Sequence, residues 1–177
     1  MITHFVHQSV DGFIEGPNGE FDWPVMGPEL SAASHELTGS ADAFLYGRKV
    51  WDMMSSFWPN AEEISDHPHD LKFAPVWRER AKVVVSRTLT EAGWNTRVVS
   101  SPDQLGDENL VLFGGAELAA SLTERGLIDE YKIFVHPVVL GGGKPTFLDP
   151  AARLDLELVE SRTFDGQVVL LTYSRRH

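Results

Sequence analysis

The chain has 177 residues, 42% of them hydrophobic and 23% charged, which suits one globular domain and argues against disorder. Its 15 Lys+Arg stand against 26 Asp+Glu, a formal charge of −11. That balance repels phosphate-rich surfaces and sets aside a general nucleic-acid or anionic-membrane binder. The absence of cysteine excludes disulfides, thiolate catalysis and Cys-based zinc sites, and fits a reducing compartment.

The first residues, Met1 to His7, lack a basic region followed by a long apolar run, so they do not read as a secretory signal. No apolar stretch approaches the roughly 20 residues of a membrane helix. The expectation is a soluble cytoplasmic protein.

Residues 3–10 mix β-branched and aromatic types and stop at Asp11-Gly12, which predicts a strand. Residues 15–23 hold Gly16, Pro17, Asn18 and Gly19 and read as a loop. A short helix is expected over 29–38, ended by Gly39, then a buried strand over 43–46, closed by Gly47 and followed by a helix from Arg48. Residues 59–69 read as an acidic loop and 71–80 as a helix around Pro75. Strands are expected at 83–85, 97–99 and 110–113, the last ending in Gly114-Gly115. Over 116–125, Leu118 and Leu122 share a helical face, with Gly126 as a left-handed cap. A strand is predicted over 131–139, and 156–164 with 168–173 flank Asp165-Gly166 as a hairpin. Alternating strands and helices in front imply parallel crossovers; the strand-only back implies an antiparallel edge. The expectation is one α/β domain over 1–177 with a mixed sheet.

Three of these strands end in residues suited to anions: Gly47-Arg48-Lys49, Ser86-Arg87 and Gly114-Gly115-Ala116. Ligands of open α/β sheets bind at the carboxyl ends of parallel strands. Free amides at a helix start hold phosphate, and glycine lets it approach the backbone. Glycine after a strand is also ordinary turn chemistry, and a cation at a helix start is often merely solvated. Glu117, in the first turn of its helix, would repel phosphate, so it must point away or bind a hydroxyl.

Other patterns fall short. Gly143-Lys144 lacks the Ser/Thr of a P-loop, having Pro145 instead. Neither G-x-G-x-x-G nor G-x-S-x-G occurs. Asp66-His67-Pro68-His69-Asp70 has ligand-type side chains, but such acidic clusters are mostly solvated, and no metal is expected. His4 and His7 fall on opposite faces of their strand. The five tryptophans suit packing, and Trp23, in the loop after the first strand, points towards a pocket.

The chain resembles the RibD C-terminal reductase family within the dihydrofolate reductase-like superfamily. The likeness is carried by residues 9–14, Gly47-Arg48-Lys49, Val85-Ser86-Arg87-Thr88-Leu89, residues 112–118, Leu127-Ile128-Asp129-Glu130 and residues 136–143. It spans nearly the whole chain in the right order. The resemblance implies a central, mostly parallel mixed sheet flanked by helices with an antiparallel C-terminal hairpin, and NADPH bound across the strand ends. It implies pyrophosphate on the amides of Gly47, Arg48, Lys49, Gly114, Gly115 and Ala116, with Val50, Phe113, Glu117 and Leu118 lining the cradle. Ser86 and Arg87 would meet the adenosine 2′-phosphate, and the backbones of His7 and Ile14 the nicotinamide carboxamide. A homodimer is also implied.

The chain departs from the family at Val50, where many of these reductases carry Thr. Phe13 and Phe113 replace a basic residue and a Glu of the riboflavin-pathway enzymes, which leaves the substrate open. The expected pocket comprises Phe13, Asp22, Trp23 and Phe113. Near Ser31, where folate reductases place an acid, only Glu29 and Glu36 occur. The expected chemistry is hydride transfer to a small heterocyclic or carbonyl substrate; a folate reductase or a non-catalytic NADP-binding sensor are the alternatives. Asp11 and Asp22 are the nearest acids by sequence, and no proton donor is assigned.

Overall fold

The computed structural model describes residues 1–176. Strand β1 (Ile2–Gln8) runs through the middle of an eight-stranded sheet, and a short β2 (Phe13–Glu15) follows it. Next come helix α1 (Pro28–Gly39), β3 (Ala43–Gly47), α2 (Arg48–Phe57), α3 (Ala61–Ile64) and α4 (Pro68–Glu79). The chain continues through β4 (Ala81–Val85), β5 (Thr96–Val99), β6 (Leu110–Phe113), α5 (Ala116–Glu124) and β7 (Glu130–Val135). It closes with β8 (Lys144–Pro145), β9 (Leu156–Phe164) and β10 (Val168–Arg175).

The sheet order is β5-β4-β3-β6-β1-β7-β10-β9, with β2 and β8 forming a separate ribbon. Every contact from β5 to β7 is parallel, whereas β10 runs antiparallel to β7 and β9. The helices must therefore cross between parallel strands, burying both faces of the sheet. Phe5, Phe44, Tyr46, Trp51, Phe73 and Trp77 fill one face, and Val6, Leu45, Leu112, Leu122 and Ile133 the other. Alternation along β1 sends Phe5 and Val6 to opposite cores.

Local signals explain most of the elements. Gly126 has φ +67, and the amides of Gly126 and Leu127 bond back to Thr123 and Leu122 at 3.0 and 2.9 Å, a Schellman close to α5. Asp165 and Gly166 both have positive φ, at 53° and 65°, as a type I′ hairpin turn requires.

Two expectations need correction. Residues 59–69 are not one loop: a 3-10 turn at Trp58–Asn60 leads into α3, and α4 already begins at Pro68. Proline at the first helical position and the His67 ring accepting the His69 amide at 3.1 Å start α4 early. The strand expected over 131–139 stops at Val135, because Pro137 cannot donate to a ladder and Val139 is exposed. The tryptophans divide as well: Trp51 and Trp77 are buried, whereas Trp94 lies at the surface.

Candidate functional site

The carboxyl ends of β4, β3 and β6 lie side by side, since those strands are consecutive neighbours in the sheet. Two of them run directly into helices. Gly47 precedes α2 and Gly115 precedes α5, and neither helix start has a side-chain cap. Their first amides therefore remain available to an anion. Gly114 and Gly115 have φ +50 and +68, and a Cβ on Gly115 would sit 3.3 Å from Val50 Cγ2. A Cβ on Gly47 would sit 3.4 Å from Leu118 Cβ. The two turns thus pack glycine against side chain, and the Gly114 amide donates to the Phe5 carbonyl at 3.2 Å.

Charge surrounds this cradle unevenly. Arg48 pairs with Asp52 at 3.0 Å and reaches Thr88 Oγ1 at 3.3 Å. Arg87 is exposed and forms no ion pair among the described residues. Glu117 does turn to other partners: its carboxylate lies 3.1 Å from Lys49 Nζ and 3.6 Å from Lys144 Nζ, and the Lys49 contact leads in lowering its pKa. Lys144 also borders a shallow, open depression lined by Glu15, Gly16, Pro17, Gly143 and Pro145. Ser86 is buried, and its hydroxyl accepts the amides of Thr88 and Leu89 at 3.3 and 3.1 Å, so it shapes the turn that carries Arg87.

The glycine turn is braced from behind by His4, which is 1% exposed. Its Nε2 donates to the Gly114 carbonyl at 3.3 Å, the carbonyl being able only to accept. Burial lowers its pKa to about 4.

The neighbouring end of β1 and β7 has a different character. His7 Nδ1 lies 2.7 Å from His136 Nε2, and the Val25 amide donates to His136 Nδ1 at 2.9 Å. Phe5, Phe134 and Trp23 pack around the two rings. Burial pulls His7 down to about 3, with His136 and His69 adding repulsion, and pulls His136 to about 4. His69 in turn holds Ser31 Oγ at 2.8 Å and stacks on His35. Its pKa also falls to about 4, chiefly through burial. Ser31 therefore meets a neutral imidazole.

A family model for the RibD C-terminal domain matches residues 1–102 and 96–170 in two overlapping segments. The chain belongs to the RibD C-terminal domain family. Two relatives from Bacillus subtilis (strain 168) are uncharacterized proteins. YyaP is 35% identical over 93% of this chain and 89% of its own length. YwjB is 25% identical over 97% and 95%. A crystal structure of a "putative riboflavin biosynthesis protein" from Shewanella sp. PV-4 superposes with a TM-score of 0.77 at 24% identity, covering 99% of both chains. The fold is dihydrofolate reductase-like.

Within this family member the substrate-side residues separate. The Phe113 ring is half-buried among Phe5, Phe44, Tyr46 and Phe73. Phe13 lies on the β2–β8 ribbon opposite Pro145, and no ring contact joins it to Phe113. Ile14 sits at the register shift of that ribbon. Asp22 is exposed, whereas Trp23 packs edge-on against His136 with ring centroids 5.6 Å apart. Asp11 is a structural residue: its carboxylate accepts the Ser9 hydroxyl and the amides of Leu140 and Gly141 at 2.6, 3.1 and 2.8 Å.

Sequence reasoning named His7 for its backbone only and missed the side-chain roles of His4, Ser31, His69 and His136. His136 stands within the residues 136–143 that carry the family resemblance, and His69 within the ligand-type cluster at 66–70. No group of three or more ligand side chains suited to a metal occurs among the described residues, and no described helix is long and apolar enough to cross a membrane.

Proposed function

We propose that the protein is an NADPH-dependent reductase that delivers hydride to a small heterocyclic or carbonyl substrate. The observation carrying this reading is the pair of uncapped helix starts at Gly47 and Gly115, side by side at the carboxyl ends of parallel strands. The fit is tested by Gly115 itself, where a side chain would occupy the space against Val50 that the backbone leaves clear. Arg48 and Lys49 share their charge with Asp52 and Glu117 in exposed pairs that a polyphosphate could displace, and Arg87 has no ion pair among the described residues.

In this reading the amides of residues 47–49, 115 and 116 hold the pyrophosphate, lined by Val50, Phe113, Glu117 and Leu118, whereas the Gly114 amide is taken by the Phe5 carbonyl at 3.2 Å. Arg87, presented by the Ser86 turn, meets the 2′-phosphate that distinguishes NADPH from NADH. The backbones of His7 and Ile14 orient the nicotinamide end. When bound, the cofactor supplies the hydride. The chain's part is to hold the acceptor beside His7 and Trp23. The chain works as a single domain, as a cytoplasmic homodimer without nucleic-acid or membrane partners. Ser31 bonded to neutral His69 disfavours the folate-reductase alternative, because no carboxylate stands ready to hold a pterin.

Titration of the protein with NADPH and NADH, followed by quenching of tryptophan fluorescence, tests the reading. NADPH is expected to bind about ten- to hundredfold tighter, the worth of one charge-assisted contact. Equal affinities, or no binding, would remove it.

A further inference from the structure

The paired rings of His7 and His136 carry an inference that rests on the reductase reading and extends it to the substrate. The Val25 amide donates to His136 Nδ1 at 2.9 Å, so that nitrogen carries a lone pair and the ring's proton sits on Nε2. His136 Nε2 lies 2.7 Å from His7 Nδ1, and such a contact needs one donor and one acceptor. With the proton on His136 Nε2, His7 Nδ1 must accept, and the proton of His7 falls on its own Nε2. Among the described residues that atom has no hydrogen-bond partner, and His7 is only half-buried. One backbone amide therefore sets the tautomer of two rings and leaves a single N–H without a partner among the described residues.

Neither ring can take a second proton without losing a contact. A charged His136 would aim an N–H at the Val25 amide, and a charged His7 would aim one at His136. Burial acts in the same direction, with values of about 3 and about 4 for the two rings. The groups packed against the pair are Phe5, Phe134 and Trp23, with His69 the further titratable neighbour. No Lys or Arg hydrogen-bonds to either ring among the described residues.

We propose that His7 Nε2–H is the donor that recognises an uncharged planar substrate through its carbonyl oxygen or imine nitrogen. A phosphate or carboxylate would find no cation here, so the aromatic surroundings select against anionic groups at this point. When the acceptor carbon takes up hydride, the π pair of the C=O or C=N bond moves onto the heteroatom, and water supplies the proton that neutralises it. His7 holds that heteroatom and keeps its own proton. A neutral imidazole fixed in one tautomer stabilises the developing charge with no reorganisation of its own.

The test uses the full chain labelled with 15N-histidine, and menadione as a neutral dicarbonyl probe. Nitrogen spectra from about pH 5.5 to about 8, spanning the ordinary histidine range, should show both rings protonated on Nε2 alone. Added menadione should shift His7 Nε2. Val25→Pro removes the amide donor and should let both tautomers appear. His7→Phe should weaken menadione about five- to thirtyfold. A proton on His7 Nδ1, a ring that charges within that range, an unchanged spectrum in Val25→Pro, or menadione bound equally by His7→Phe or not at all by the parent would overturn the proposal. If NADPH fails to bind the parent chain, the cofactor reading falls, while the tautomer and menadione measurements still decide this one.

Discussion

The cradle at the ends of β4, β3 and β6 is exposed, charged and lined by backbone, whereas the neighbouring end of β1 and β7 is half-buried, neutral and lined by rings. Under the proposed reductase function, the difference follows from what each would hold. Amides and mobile cations suit an anion that arrives with its own charge and hydration, because solvent still shares the work. Rings that exclude water make each hydrogen bond count for more and each unpaired charge expensive, so that end admits only neutral histidines. Arg48, Lys49 and Glu117 can exchange partners at the surface; His7 and His136 have one arrangement of protons that satisfies both contacts.

Gly115→Val should break the cradle and spare the histidine end. The left-handed φ of +68 and the 3.3 Å approach to Val50 leave no room for a β-branched side chain. NADPH affinity is expected to fall at least about a hundredfold, or about 3 kcal/mol, while the circular dichroism spectrum stays native. Normal cofactor binding would show that the turn is not an anion site.

The neutral histidines should reveal themselves in acid. His4 and His136 have folded values of about 4 against 6.5 when free, so the unfolded chain binds protons first as the pH falls. Stability is therefore flat above about pH 6.5 and drops by about 1.4 kcal/mol per pH unit for each ring down to about pH 4. Urea midpoints across that window measure the slope, and His4→Phe should remove one ring's share. A midpoint unchanged between neutral pH and pH 5 would mean that the rings charge freely in the fold.

Phe113→Glu would restore the acid of the riboflavin-pathway enzymes, but it would do so within the Phe5, Phe44 and Tyr46 cluster. A carboxylate there should cost about 2–4 kcal/mol of stability, whereas Phe13→Lys on the ribbon should change the melting temperature little. Thermal melts that do not distinguish the two variants would show that Phe113 stands free in the pocket.

Smaller effects belong to the surface. Arg87→Ala should weaken NADPH about ten- to hundredfold and leave NADH unchanged; equal losses would make Arg87 structural. Lys49→Ala should leave the melting temperature unaltered, since exposed ion pairs contribute little, and Lys144 remains 3.6 Å from Glu117. A clear drop on melting would show that the Lys49–Glu117 pair ties α2 to α5.

Much of the fold and half of the site were legible because they are written locally. The run Leu110 to Phe113 followed by Gly114-Gly115 announces a buried strand and a turn that needs positive φ, and the spacing of Leu118 and Leu122 announces the helix behind it. The loop expected over 59–69 failed for a local reason too: α3 has only four residues, too few for a period to show.

The order of residues alone names the material of each element: which runs form buried strands, where a left-handed turn closes α5, and which three strand ends carry glycine or a cation. The tertiary structure alone decided the partnerships. His7 meets His136 across 129 positions, and His69 reaches Ser31 across 38. Asp165, a hairpin turn residue by its own neighbours, accepts the Glu29 and Leu30 amides at 3.0 Å and so starts α1 from 136 and 135 positions away. Such contacts follow from sheet order and helix docking. A side chain's identity says that it needs a hydrogen-bond partner when buried, but only the packing of distant segments says which one it finds.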